Sequence, residues 1–172
     1  IPLVTNGDSW KILQTPAFCW YNNDESANKN VYGALYNWYA VNTGKLCPTG
    51  WHVPSDAEWQ TLEMYLGMTQ SDASAVGNRG TNEGGKLKET GSAHWDLPNT
   101  DATNEKGFTA LPGGWRGQGP FNSIRAVGFY WTSTEFSSHD ASYRLLQSQI
   151  GKIYRSIGGY KEYGFSVRCL KD

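Results

Sequence analysis

The chain has 172 residues, which is enough for one domain with its own core and short for two. Its 15 basic and 16 acidic side chains give a net charge of −1, so the composition does not indicate binding to nucleic acid or an anionic membrane. No apolar run approaches the ~20 residues that span a bilayer, so we expect no transmembrane segment in this sequence. Many aromatic residues (14%) and 20 glycines favour an irregular, loop-rich fold.

The first forty residues carry the first predicted helix. Turn residues surround an aromatic patch over 1–30, which predicts edge or loop structure there. The segment Tyr32–Val41 places Leu35 and Trp38 on one helical face, and Gly44 follows as a stop signal. The pattern therefore predicts a helix over Tyr32–Val41.

A strand followed closely by a helix is the clearest local structure in the sequence. Gly50–Val53 predicts a short strand that Pro54 ends, because proline cannot continue a strand ladder. Ser55 is a predicted N-cap, and Glu58 three residues later completes a capping box. Apolar residues at helical spacing then predict a helix that ends near Leu66.

The second half of the chain is predicted to be mostly strands. The polar stretch 68–107 is too long for a plain connector, so we expect its own side chains to pack it or a function to explain it. Strands are predicted over 108–111, 127–134, 141–148, 151–156 and 164–170, with a turn at Gly158-Gly159. The fold class is therefore α+β, with two helices packed on a small antiparallel sheet in a single domain covering 1–172.

The three cysteines allow one internal pair and one remaining thiol. Cys47 and Cys169 each border a predicted strand and are the candidate pair, which leaves Cys19 free. Three reduced, buried thiols are the alternative.

The sequence gives little support for catalysis or zinc binding. His139 and Asp140 could join a serine in a triad, but adjacent loop residues seldom orient each other and no nucleophile-elbow sequence is present. The other histidines, His52 and His94, lie far from His139 and in different predicted elements. We therefore expect neither a catalytic site nor a zinc site.

Calcium is the one cofactor for which the sequence offers a candidate loop. Five oxygen-bearing residues crowd one short segment: Asp96, Asn99, Asp101, Asn104 and Glu105. Their spacing matches no known calcium loop, and such residues are also common in turns, so no cofactor is the preferred interpretation.

Two tryptophans are candidates for stacking on a sugar ring. Trp95 and Trp115 both lie in loop regions, and a flat aromatic face suits the CH groups of a pyranose. For Trp95 we favour a different role, as the apolar anchor of the long polar stretch.

Six motifs in fixed order resemble the Fibrobacter succinogenes major paralogous domain family over nearly the whole chain. They are Tyr32–Trp38, Leu46–Ser55, Gly85–Gly91, Gly107–Gly114, Trp131–Glu135 and Gly164–Cys169. The family has a further N-terminal strand pair, so the resemblance implies that this chain starts after it. More distantly, the order of elements resembles the formylglycine-generating-enzyme branch of the C-type lectin fold.

The resemblance carries several expectations. It implies a bacterial protein that is secreted or lies at the cell surface, lipid-anchored through a segment absent here. By analogy with C-type lectins, it implies a Cys47–Cys169 disulfide. The enzymatic branch needs a reactive cysteine pair near the last strands, and no cysteine lies between Phe121 and Phe165. Formylglycine-generating activity is therefore not expected.

Residues 136–163 are the predicted ligand-binding region. In relatives many of these positions hold asparagine, and this chain carries residues reachable by changes at the adenines of an asparagine codon. This resembles the variable protein of a diversity-generating retroelement. The candidate ligand-binding residues are Phe136, Ser138, His139, Asp140, Ser142, Leu145, Ser148, Ile150, Tyr154, Ser156, Ile157, Tyr160 and Tyr163.

The sequence thus predicts a non-catalytic surface protein that binds a protein or a glycan through this variable region. A carbohydrate-binding or structural adhesin module is the alternative, and ordinary drift on an exposed sheet face would explain the same residues without hypervariability.

Overall fold

The computed structural model describes residues 1–172 and has the predicted α+β architecture. The sequence predicted two helices, and the structure has six short α-helices and a 3₁₀ helix over Tyr21–Asn23. The α-helices are α1 Gly7–Lys11, α2 Glu25–Asn28, α3 Trp38–Val41, α4 Asp56–Tyr65, α5 Gln70–Ser74 and α6 Glu83–Leu87. None of them has the length and continuous apolar character that a membrane-spanning segment requires.

Ten strands form one four-stranded sheet and three two-stranded pairs. The strands are β1 Phe18–Cys19, β2 Leu35–Tyr36, β3 Trp51–His52, β4 Gly77–Arg79, β5 Trp115–Arg116, β6 Phe121–Asn122, β7 Val127–Glu135, β8 Asp140–Gln147, β9 Ile153–Tyr160 and β10 Leu170–Lys171. The large sheet is antiparallel in the order β4-β9-β8-β7, and the small pairs are β1-β2, β3-β10 and β5-β6.

The predicted capping box is confirmed at the start of α4. Glu58 N donates to Ser55 Oγ at 3.3 Å, and Glu58 Oε2 accepts from Ser55 N at 2.7 Å. These two bonds satisfy backbone donors that an uncapped helix start would leave without partners. The longest helix of the chain therefore begins where the local sequence predicts.

The predicted helix over Tyr32–Val41 is wrong in its first half. Leu35 lies in β2, and the helix begins only at Trp38. The cause is Asn37, whose Oδ1 accepts from Ala40 N at 3.1 Å as an N-cap and from Ala17 N at 3.0 Å. An N-cap has extended backbone, so the residues before it cannot continue the helix.

The predicted turn at Gly158-Gly159 is also wrong, because both glycines lie inside β9. A Cβ atom on Gly159 would come within 2.7 Å of the Tyr143 ring, so the close packing of that ring explains the glycine. The predicted strand over 164–170 is reduced to β10 and isolated bridges, among them Tyr36↔Phe165. The segment 108–111 forms one bridge, at Ala110, and no strand.

The polar stretch 68–107 is packed by its own short elements, α5, β4 and α6. Trp95 is fully buried, and its Nε1 donates to Ala110 O at 2.9 Å. This confirms Trp95 as the anchor of the stretch. The buried indole contributes a large apolar area, and its hydrogen-bonded N–H avoids the cost of burying an unpaired donor.

Cys47 and Cys169 form the predicted disulfide, with Cα atoms 5.8 Å apart and a sequence separation of 122. The bond ties the segment before β3 to the segment before β10. Cys19 is the free cysteine and is buried. Burial raises the pKa of its thiol to about 11, so it stays protonated at neutral pH.

Candidate functional site

The two faces of the four-stranded sheet differ in what covers them. Side chains alternate between the faces along each strand, and directly paired residues share a face. On one face, Tyr130, Leu146 and Ile153 join Trp59 of α4 in the largest apolar cluster. We call this the helix side, because α4 covers it.

A buried network of charges ties α4 to the helix side. It contains two carboxylates and three guanidinium groups: Asp56, Glu63, Arg79, Arg144 and Arg155. Arg144 is fully buried and bonds Glu63 at 2.7 Å and Asp56 at 2.6 Å. Burial alone would raise the pKa of Asp56, but hydrogen bonds and charge from Arg155 and Arg144 outweigh it and hold this pKa well below its ordinary value.

Part of the other face is also covered, because Trp131 and Ala141 are buried in a second apolar cluster with Phe165. Six further side chains of this face are half-buried, and we call these six the open face. They are Val127, Phe129, Tyr143, Leu145, Gln147 and Tyr154. None of them is charged. The rings of Tyr143 and Tyr154 stack with centroids 6.3 Å apart, and Phe129 lies 5.5 Å from Tyr143. Burial raises the pKa of the Tyr143 phenol, so the open face is uncharged at physiological pH.

A second aromatic group adjoins the open face where the chain leaves β9. Tyr163 lies 5.4 Å from Tyr160 and 5.3 Å from Trp115, all as ring centroids. Phe165 is buried between them and the sheet, 5.1 Å from Tyr143. The half-buried rings of Trp115 and Phe129, 5.6 Å apart, join the two groups into one aromatic surface.

Two buried lysines brace the turns at the two ends of β8. At the β7–β8 turn, Lys161 Nζ donates to Ser138 O at 2.9 Å and pairs with Glu135. At the β8–β9 turn, Lys88 Nζ donates to Gln147 O at 2.9 Å and to Ile150 O at 3.2 Å. Burial lowers the pKa of Lys88 to about 8, and nearby Asp101 opposes this shift. Each turn thus has an ammonium group that fixes its backbone carbonyls.

Ten of the thirteen predicted ligand-binding residues reach the surface. Exposed are Phe136, Ser138, His139 and Tyr160, and half-buried are Asp140, Leu145, Ile150, Tyr154, Ile157 and Tyr163. The structure brings Leu145 and Tyr154 together as a cross-strand pair on the open face, and pairs Asp140 with Tyr160 at the β7–β8 end. Ile150 lies at the opposite end of β8 from Phe136 and does not join that group.

The other three predicted residues are buried serines, and the prediction that they contact a ligand is corrected accordingly. Ser142 points to the helix side, where its hydroxyl contacts Asp56 Oδ1 at 3.0 Å and Ser156 O at 2.9 Å. Ser156 is 8% exposed and accepts from Gly158 N, and Ser148 is 1% exposed. Substitutions that change the side-chain size at these positions would alter the packing of the core and not the contact with a ligand, because these side chains are buried.

Four residues of the open face were missing from the predicted ligand-binding residues: Val127, Phe129, Tyr143 and Gln147. Their spacing contained the signal, since Tyr143, Leu145 and Gln147 alternate with the buried residues of β8. Period-two alternation assigns them to one face, but only the pairing of the strands shows that this face stays partly open.

The arrangement does not assemble the residues of a catalytic triad. Ser138 Oγ lies 2.8 Å from His139 Nδ1, which is the contact a nucleophile and base would make. However, the Asp140 carboxylate accepts from Ser137 Oγ at 2.9 Å and has no hydrogen bond to His139. The histidine therefore lacks the carboxylate that would orient it.

Several residues that were weighed as metal ligands, although no metal site was predicted, have other partners in the structure. Asp96 pairs with Arg125 at 3.1 Å, and Asn104 Nδ2 donates to Thr109 Oγ1 at 2.9 Å. His52 bonds Asp172 at 2.6 Å. The structure contains no group of three or more His, Cys, Asp or Glu side chains that could share a metal ion.

Comparison with protein families matches residues 3–171 to the Fibrobacter succinogenes major domain. Comparisons with curated proteins and with solved structures found no match. The match covers almost the whole chain, including all six motifs described above. The chain therefore belongs to the Fibrobacter succinogenes major domain family.

Proposed function

We propose that this chain is a non-catalytic ligand-binding protein with a C-type-lectin-like fold. The ligand contacts the open face, the β7–β8 turn and the neighbouring rings of Tyr160 and Tyr163. The observation that carries this proposal is the continuous, uncharged and half-exposed aromatic surface on one face of the sheet.

The physical character of this surface suits recognition. Tyrosine offers a large, rigid contact area with a polar tip, and it loses little conformational entropy on binding. Partly desolvated aromatic side chains supply most of the energy in many interfaces. Strand pairing and the two buried lysines hold the backbone of this surface in place, so little ordering cost remains for the binding step.

Two features support a non-catalytic role. His139 has no orienting carboxylate, and the free thiol of Cys19 is buried and has a raised pKa. The formylglycine-generating activity of the distant enzymatic relatives needs paired reactive cysteines near the last strands. Here the one cysteine in those strands, Cys169, is in a disulfide with Cys47.

We also propose that the accessible residues of 136–163 are hypervariable and that the protein works outside the cytoplasm, secreted or lipid-anchored at the cell surface. The Cys47–Cys169 bond supports this location, because disulfides persist mainly in oxidising compartments. The genomic DNA tests hypervariability. A nearby template repeat that differs from the coding sequence only at adenines, beside a reverse transcriptase gene, is the expected finding, and its absence would overturn this part.

Binding to arrays of extracellular proteins and of glycans tests the function itself. For any bound ligand, we expect Tyr154→Ala combined with Tyr160→Ala to weaken binding at least about tenfold, the loss typical of hot-spot aromatics. Tyr65→Ala is the matched control, since Tyr65 is 70% exposed on α4 and should not change that binding. Equal loss in both variants would contradict the proposal.

A carbohydrate ligand is the second candidate, and the position of Trp115 favours it. Its half-buried ring stands beside Tyr163, and together they offer apolar area to a pyranose. Glycan binding that Trp115→Ala abolishes would establish this version. Binding to proteins alone, unaffected by Trp115→Ala, would reject it.

A further inference from the structure

A pocket lies on the helix side of the molecule, away from the open face. Its volume is about 330 Å³, within the range of small-molecule sites. Apolar side chains from α4, from the loop after residue 107 and from β10 form most of its wall, namely Trp59, Leu62, Phe108 and Leu170. This wall is suited to an apolar group about the size of a phenyl ring.

Arg168 supplies the positive charge of the pocket and has unused donors. Its guanidinium lies 4.6 Å from the ring centre of Phe108, and Nη2 donates to Phe108 O at 2.6 Å. Arg79, Arg144 and Arg155 all pair with carboxylates, whereas Arg168 pairs with none. One of its five N–H groups is bonded, so a bidentate contact with a carboxylate is open to it.

The other polar groups of the wall leave this charge uncompensated. Glu58 also lines the pocket, but its Oε1 is bonded to His52 at 2.9 Å and its Oε2 to Ser55. Arg168 is therefore the charged group of the wall that lacks a charge partner, while the one carboxylate of the wall already has two hydrogen-bond partners.

We propose that this pocket binds a carboxylate carried on an apolar group, with Arg168 as the charge partner and Trp59, Leu62 and Phe108 around the apolar part. Both a free aromatic acid and the C-terminus of a peptide ending in an aromatic residue have this chemistry. The site is separate from the open face and does not depend on the function proposed for that face.

Two probes test the proposal by ¹H–¹⁵N NMR titration of the whole chain: 3-phenylpropionate, and a short peptide ending in phenylalanine. We expect saturable shifts at Leu62, Phe108 and Leu170 with at least one probe. The uncharged amide of the same probe should bind about ten- to a hundredfold more weakly, since it loses a charge-assisted hydrogen bond. Comparing the two probes distinguishes a free acid from a chain terminus.

Substitutions at the charge partner provide the decisive control. Arg168→Gln should reduce binding as much as the amide does, and Arg168→Lys should retain part of it, because the charge remains without the bidentate geometry. Arg125→Gln is the matched control, since Arg125 is a partly exposed arginine that pairs with Asp96 outside the pocket. Unchanged spectra away from the pocket confirm that each variant is folded.

Three results obtained with a bound probe would each overturn the proposal. These are shifts that occur outside the pocket, equal binding of the acid and its amide, and full binding by a folded Arg168→Gln variant. Absence of binding by both probes at millimolar concentration also overturns it.

Discussion

The helix side and the open face of the sheet are built from the same three strands, yet they hold different chemistry. The helix side contains a buried network of five charged groups and the main apolar cluster. The open face has no charge, and its aromatic side chains are half-exposed. The difference indicates that alternate residues of each strand have different roles. One set of alternate residues packs against α4, and the other set leaves six uncharged side chains partly exposed.

The largest expected effect is on the helix side. Glu63→Gln removes a fully buried carboxylate, which leaves Arg79 without a carboxylate partner and Arg144 paired with Asp56 alone. We expect it to lower the free energy of unfolding by about 3–5 kcal/mol, measured by urea denaturation. Glu105→Gln is the control, because Glu105 is partly exposed, and its loss should cost less than about 1 kcal/mol. Similar losses in both variants would contradict the role of the network.

The next prediction concerns Gly159, a buried glycine of β9 that packs on the Tyr143 ring of the open face. Gly159→Ala places a methyl group 2.7 Å from the Tyr143 ring and should cost about 1–3 kcal/mol by overpacking. A methyl group on its neighbour Gly158 would meet no atom within 4 Å, so Gly158→Ala should stay within about 0.5 kcal/mol. Thermal denaturation of both variants measures the difference. Equal stability would mean that the Tyr143 ring moves freely.

Two tyrosines allow the same substitution to be compared on the helix side and beside the open face. Tyr130 is buried on the helix side and donates its hydroxyl to Leu111 O at 2.7 Å, whereas Tyr160 is 49% exposed. Tyr130→Phe should cost about 1 kcal/mol for the lost hydrogen bond, and Tyr160→Phe should have almost no effect on the free energy of unfolding. A larger cost at Tyr160 would contradict the division between the faces.

The smallest effect is a pH dependence at the β3–β10 pair. Hydrogen bonds to Asp172 and Glu58 raise the pKa of His52 above its ordinary value. The protonated form is therefore favoured in the folded state. Its stabilisation is complete below about pH 6.5 and is lost as pH rises through the folded-state pKa.

Comparison of His52→Gln with the original chain measures this contribution. The difference in melting temperature should be larger at pH 5.5 than at pH 9. A difference that is constant across this range, or that grows with pH, would show that the carboxylates do not hold the histidine in its charged form.

Local signals in the sequence predicted local structure well. Ser55 and Glu58 predicted the start of α4, because both partners of a capping box lie within one turn. The Gly158-Gly159 pair led to a wrong prediction of a turn, because glycine also occurs where an aromatic ring packs closely on a strand. Here the ring belongs to Tyr143, which lies on another strand.

The buried charge network of the helix side could not be predicted from the sequence, for a related reason. Asp56 and Arg144 are 88 residues apart, and neither residue shows from its neighbours that it will be buried. The candidate site was predicted in part. The region 136–163 was predicted from the family resemblance, but burial removes Ser142, Ser148 and Ser156, and strand pairing adds Phe129 and Tyr143.

The division between the two faces is tested most directly by saturation substitution in a displayed library. The library would vary Leu145, Tyr154 and Tyr160, which lie on or beside the open face, and Arg144 and Leu146 on the helix side, with protease resistance as the measure of folding. We predict that most substitutions at the first three positions keep the chain protease-resistant and that most at the other two do not. Equal sensitivity of the two sets would contradict the account.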